Sequence, residues 1–166
     1  MKKRRSVMVY NVLFPTWFLL YLLPSHLILL MLAGNFIIDS LVLLLAARWQ
    51  KLDHKRVIWK KTILRIWLLG FASDLLGALA NLGFYLGLVA LEGAGILSLS
   101  GFNPLLFPGA TLTALPGVIL AGLLIYWFNR FISFRKTGLP PDTIKKLCLV
   151  LAIVTAPYAM LIPLYG

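Results

Sequence analysis

Long unbroken apolar runs, separated by short basic clusters, set the pattern of this chain. The first run covers residues 7–47 with Asp39 as its single charged residue, about twice the ~20 residues that one bilayer crossing needs. Basic residues flank both ends, so the run predicts a hairpin of two helices, 7–23 and 27–48. The turn falls at Pro24-Ser25-His26, because proline removes a backbone donor and disfavours helix in the residue before it. Pro15 predicts a kink in the first of the two. A basic connector, 48–61, follows. The next apolar run, 62–91, is longer than one crossing requires and predicts a tilted helix over 65–91, with Arg65 snorkelling to the headgroups. Further helices are predicted over 115–134, with Pro116 in the first turn, and over 144–165, interrupted by Pro157 and Pro163. The stretch 92–114 is rich in Gly and Pro yet apolar. It predicts a segment in the outer interface or dipping into the bundle, where irregular backbone needs protein or water to satisfy it.

Composition turns that pattern into a fold class. With 61% hydrophobic and 13% charged residues in 166, there is room for four or five crossings and for no sizeable extramembrane domain. The expectation is an all-α integral membrane protein, a single transmembrane domain over 1–166, polytopic, with about five helices in a bundle. The basic start before the first run resembles a signal peptide, but no small-x-small cleavage site follows, which predicts a retained first helix.

Charge then orients the bundle. A net +11 in a soluble chain suggests phosphate binding, but all 16 Lys and Arg fall within 2–5, 48–65 and 130–146, each beside an apolar run. That is the positive-inside pattern, and it excludes nucleic acid as the reason for the basicity. It predicts a multi-pass protein of the cell membrane, amino terminus cytoplasmic and carboxyl terminus outside, with its basic face against anionic headgroups. Trp49, Trp59, Trp67 and Trp127 suit the headgroup belt. Cys148 is the single cysteine, so an intrachain disulfide is excluded.

With the basic residues assigned to interfaces, few polar groups are left inside: Asn35, Asp39, Ser40, Ser73, Asp74 and Asn81. Asn35 and Asp39 are spaced i, i+4 and share one helix face. Gly70, Asp74, Gly77 and Asn81 make one stripe on the next helix, and its small residues allow close helix approach. Gly83-x-x-x-Gly87 is a second small-residue packing motif. An ionised carboxylate at mid-membrane costs about 2.5–3.5 kcal/mol on insertion scales unless it is paired, hydrated or protonated. Asp39 and Asp74, on consecutive antiparallel helices, therefore form a candidate proton or cation site, with Asn35 and Asn81 beside them. The structural alternative is that Asp39 bonds Asn81 or Ser73, and Asp74 bonds Asn35, to fix helix register, or that Arg65 reaches a carboxylate.

No nucleophile with an adjacent base, phosphate-cradling loop or metal-ligand spacing appears, so neither enzyme, cofactor nor metal is indicated. His26 and His54 lie too far apart to share a site. Asn129-Arg130, followed by Ile132, Phe134 and Arg135, resembles the cytoplasmic helix ending of GtrA-like small membrane proteins over seven residues. That resemblance implies polyprenyl-phosphate-sugar translocation, while the helix count, the long outer loop and the placement of the acidic helix depart from that family. Two functions are consistent with the residues. One is a transporter or channel for an ion or small solute, working as a homo-oligomer because five helices enclose little space. The other is a non-catalytic subunit that binds another membrane protein.

Overall fold

The computed structural model describes residues 26–98 and 109–161, all helix, turn and loop, so the expected helix 7–23 lies outside the described residues. Four α-helices follow one another: α1 (His26–Trp49), α2 (Lys55–Gly93), α3 (Gly109–Phe128) and α4 (Pro141–Val154). A π-helical turn, Asn129–Ser133, extends α3, and a 3-10 turn, Tyr158–Leu161, follows α4. Three helices are long and apolar enough to cross a membrane: α1, α2, and α3 with its π turn. The described residues are thus all-helical, with three helices that could span a membrane, which suggests a membrane protein.

The differences from the sequence expectation lie at helix ends, and each has a local cause. α2 begins at Lys55, inside the stretch expected as connector, because the turn before it closes in five residues. The amide of Lys51 donates to Arg48 O (3.0 Å) and that of Leu52 to Ala47 O (3.0 Å), a Schellman closure with Lys51 at φ 54. Leu52 then packs on the core, the usual apolar partner of this motif. At 39 residues α2 is about 58 Å long, nearly twice the hydrocarbon core, so its first turns, bearing Lys55, Arg56, Lys60, Lys61 and Arg65, reach beyond it. Its far end repeats the Schellman closure with Gly95 (φ 73) in the left-handed position.

α3 begins at Gly109, six residues before the expected start, so Pro116 sits inside the helix rather than in its first turn. The apolar stretch 92–114 is therefore helical at both ends, and residues 99–108 lie outside the described part. α4 starts at Pro141, a residue type preorganised for the first helical position, with Asp142 favouring the positive end of the helix. It stops after 14 residues, about 21 Å, too short to cross as the expected helix 144–165 would. Pro157 disfavours helix at Ala156, and the Thr155 hydroxyl turns back to Leu151 O (2.8 Å).

The core gathers at the basic end. Leu43 of α1, Ile66 of α2, Ile125 of α3, Phe134 after the π turn and Leu147, Cys148 and Leu151 of α4 are all buried there. At the other end, Thr111 ties the start of α3 to Leu161 O (3.0 Å).

Candidate functional site

α1 and α2 are held in register by aromatic side chains. The Trp67 indole Nε1 donates to Leu32 O across the helix pair (3.1 Å), and the Phe36 ring stands edge-on to both Trp59 (6.3 Å) and Trp67 (6.0 Å). Trp59 and Trp67 are thus half-buried interhelical contacts. Trp49 and Trp127 remain exposed, as a belt requires.

One turn beyond Phe36, this register brings Asp39 against α2. Asp39 is 7% exposed, and its Oδ2 lies 3.8 Å from where a Cβ on Gly70 would stand, an ordinary contact distance. Asp74 follows Gly70 by four residues, so it lies one turn along α2 on the side that meets Asp39. Asp74 Oδ1 and the Ser40 hydroxyl oxygen are enclosed and have no hydrogen-bond partner. Ser73 is fully buried but donates to Leu69 O (2.8 Å), so it offers its neighbours no proton. The single ion pair among the described residues is Lys145 to Asp142 (3.6 Å), at the surface of α4. Arg65 is exposed and does not reach inward. Two carboxylates thus share one face of the α1–α2 pair with no cation of the described chain beside them.

The lower part of the predicted stripe faces another helix. Gly77 is buried where α2 and α3 cross: a Cβ there would stand 2.6 Å from Gly117 O and 2.9 Å from the Ala121 Cβ. At Gly117 an added Cβ would collide with the Asn81 amide and with Gly77 O. Asn81 accepts the Gly117 N–H (2.8 Å), one residue past Pro116, where the proline ring disturbs the helix ladder. A membrane helix tolerates a proline when a neighbouring side chain satisfies the disturbed backbone, and Asn81 supplies that acceptor. The structure therefore brings Asp39, Gly70 and Asp74 together and directs Gly77 and Asn81 to α3. Neither Asn81 nor Ser73 bonds Asp39.

Asn35 lies half-buried on α1, one turn from Asp39. Gly83 and Gly87 have nothing within 4 Å among the described residues, so the motif they form is not used against α3.

A further polar cluster lies where α3 turns into the π helix. Asn129 is fully buried, accepts the Ser133 hydroxyl proton (2.7 Å) and leaves its Nδ2 without a partner. Arg130 donates to the Tyr126 hydroxyl (2.6 Å) and lies 5.7 Å from the centre of the Phe131 ring. The i, i+4 spacing of Asn129 and Ser133 was the available sequence signal for this buried pair. Comparison with protein-family models, with curated proteins and with solved structures finds no match.

Proposed function

We propose that this chain binds and conducts protons or small cations across a cell membrane, with Asp39 and Asp74 as the groups that hold them. The observation that carries the reading is Asp74 Oδ1, enclosed and unpartnered beside the buried Asp39 carboxyl. In a bilayer interior an ionised carboxylate is neutralised by a fixed cation, a proton or a bound ion. No fixed cation stands near the pair among the described residues, which favours the mobile ones. Asn35 is a polar neighbour one turn along α1 from Asp39, and Asn81 supports the α2–α3 contact. In this reading the complete bundle has about five helices with residues 7–23 as the first. The amino terminus is cytoplasmic, the carboxyl terminus outside, and several copies assemble, with anionic headgroups against the basic end.

The test is flux in proteoliposomes, read with an internal pH dye for protons and with potassium or sodium tracers for cations. Asp39→Asn and Asp74→Asn keep size and remove the charge. Each is expected to abolish flux while the protein stays folded by gel filtration, and unchanged flux in both variants refutes the reading. One observation favours a second reading, a subunit or self-associating role: the Gly83 and Gly87 face, which no described residue covers and which suits close approach of another membrane helix. Cysteines at these two positions in a Cys148→Ser background test it, since a self-contact gives a disulfide-linked dimer.

A further inference from the structure

At the basic end of the α1–α2 pair lies an open groove of about 500 Å³ whose walls differ in chemistry along its length. Its upper wall is apolar, made by Leu41, Leu44 and Leu45 of α1, with Leu41 and Leu45 more than half exposed. Leu41 and Leu45 are i, i+4 neighbours on one face, and Arg48 closes the same face about 10 Å below Leu41. The lower wall is the start of α2, where Lys55 and Arg56 line the groove with Asp53 and His54. Three cations against one carboxylate leave two positive charges in excess, and none of the four is in an ion pair among the described residues.

The backbone adds to this field. The first turn of α2 carries no acidic residue and no side-chain cap, so the positive end of a 39-residue helix points at the lower wall. The first ladder bonds there run from Val57 and Ile58 to His54 O, leaving the amides of Lys55 and Arg56 for another acceptor.

We propose that this groove binds one anionic glycerophospholipid, its phosphate among Arg48, Lys55 and Arg56 and one acyl chain along the leucine wall. Charge complementarity selects the class. A zwitterionic lipid brings its own ammonium into a field already positive, whereas an anionic diester or diphosphate lowers it. The leucine wall separates a lipid from a free anion, because inorganic phosphate leaves the exposed leucines unused. A basic pocket between membrane helices at the headgroup level is a known physical solution for anionic lipid capture.

The test uses the full chain in mild detergent, with dioleoyl phosphatidylglycerol, phosphatidylethanolamine and phosphatidylcholine at equal concentration and native mass spectrometry to count retained lipid. Phosphatidylglycerol is expected to be retained about tenfold over the other two. The triple variant Arg48→Ala, Lys55→Ala, Arg56→Ala is expected to lose that preference. Arg135→Ala, Lys136→Ala, Lys146→Ala, which removes the same charge elsewhere at the basic end, is expected to keep it. The charge-neutral Leu45→Trp, which fills the apolar wall, is expected to lower retention at unchanged preference. Should the first triple variant fail to fold, Arg56→Gln at an exposed position reads the same effect at smaller size. Equal loss in both triple variants overturns the site in favour of general basicity. Equal retention of the zwitterionic lipids overturns the headgroup assignment, and displacement by millimolar inorganic phosphate overturns the lipid in favour of a soluble anion.

Discussion

Replacing Asn81 by Leu removes the acceptor for the Gly117 N–H while keeping the bulk of the side chain, at a point where α2 and α3 are in backbone contact. An unsatisfied buried amide costs about 1–3 kcal/mol in general. Interhelical hydrogen bonds in membranes average nearer 0.6 kcal/mol, because the unfolded chain also finds partners. A loss of about 1–2 kcal/mol is expected here, since the donor sits beside a proline and its own helix serves it poorly. That cause is separable from simple repacking. Pro116→Ala restores a ladder able to take the Gly117 amide, so Asn81→Leu should cost about 1 kcal/mol less in the Pro116→Ala background. The assay is equilibrium unfolding by SDS titration from mixed micelles, followed by tryptophan fluorescence in all four members of the cycle. Additive behaviour, with Asn81→Leu equally costly in both backgrounds, refutes the role of Asn81 as the partner of the proline break.

Further expectations follow from the same geometry. Gly77→Ala places a methyl against backbone and should destabilise the bundle by about 1–3 kcal/mol in the same titration, whereas Gly83→Ala, facing open space, should be neutral or slightly stabilising. A large cost at Gly83 would reveal a neighbour on that face beyond the described residues. Lys51→Gly should stabilise by about 0.5–1 kcal/mol, because Lys51 holds the left-handed position that Gly95 fills at the end of α2; a loss of stability would refute the Schellman assignment. Gly70→Leu, which drives a side chain into the space of the Asp39 carboxyl, should suppress flux in proteoliposomes as strongly as Asp39→Asn does, and full flux would place the pathway elsewhere.

The apolar runs made the membrane class and the approximate position of three long helices legible, because length and hydropathy act over tens of residues and average out local detail. Helix ends were less legible because they depend on a few backbone bonds. The Lys51 closure shortens the connector by bonds to Ala47 and Arg48, and no composition rule marks a lysine for the left-handed position. Pro116 was misplaced for a related reason. Its position within α3 depends on an acceptor 35 residues earlier, and the helical stripe shows Asn81 only as one more polar residue. The same stripe suggested that Gly70, Asp74, Gly77 and Asn81 act together. The structure divides them, since α2 has a neighbour on each side: Gly70 meets α1 and Gly77 meets α3.

That division bears on why, among the described residues, the two carboxylates stand without a fixed cation in a chain so rich in them. Every Lys and Arg lies in three clusters, and of those in the described helices Arg65 comes nearest to Asp74 in sequence, nine residues away on α2. Nine residues span about 13 Å of helix, beyond the reach of an ion pair, and Arg65 is exposed where α2 leaves the apolar layer. A Lys or Arg on the α1-facing side of α2 one turn from Asp74 would neutralise one of the two carboxylates, yet the residue that meets Asp39 there is Gly70. Glycine there supplies no charge. A Cβ at position 70 would meet the Asp39 Oδ2 at 3.8 Å, an ordinary van der Waals distance, so alanine fits there while a longer side chain does not. Should flux in proteoliposomes depend on both acids, the missing countercharge among the described residues is the feature that an exchangeable proton or cation would supply.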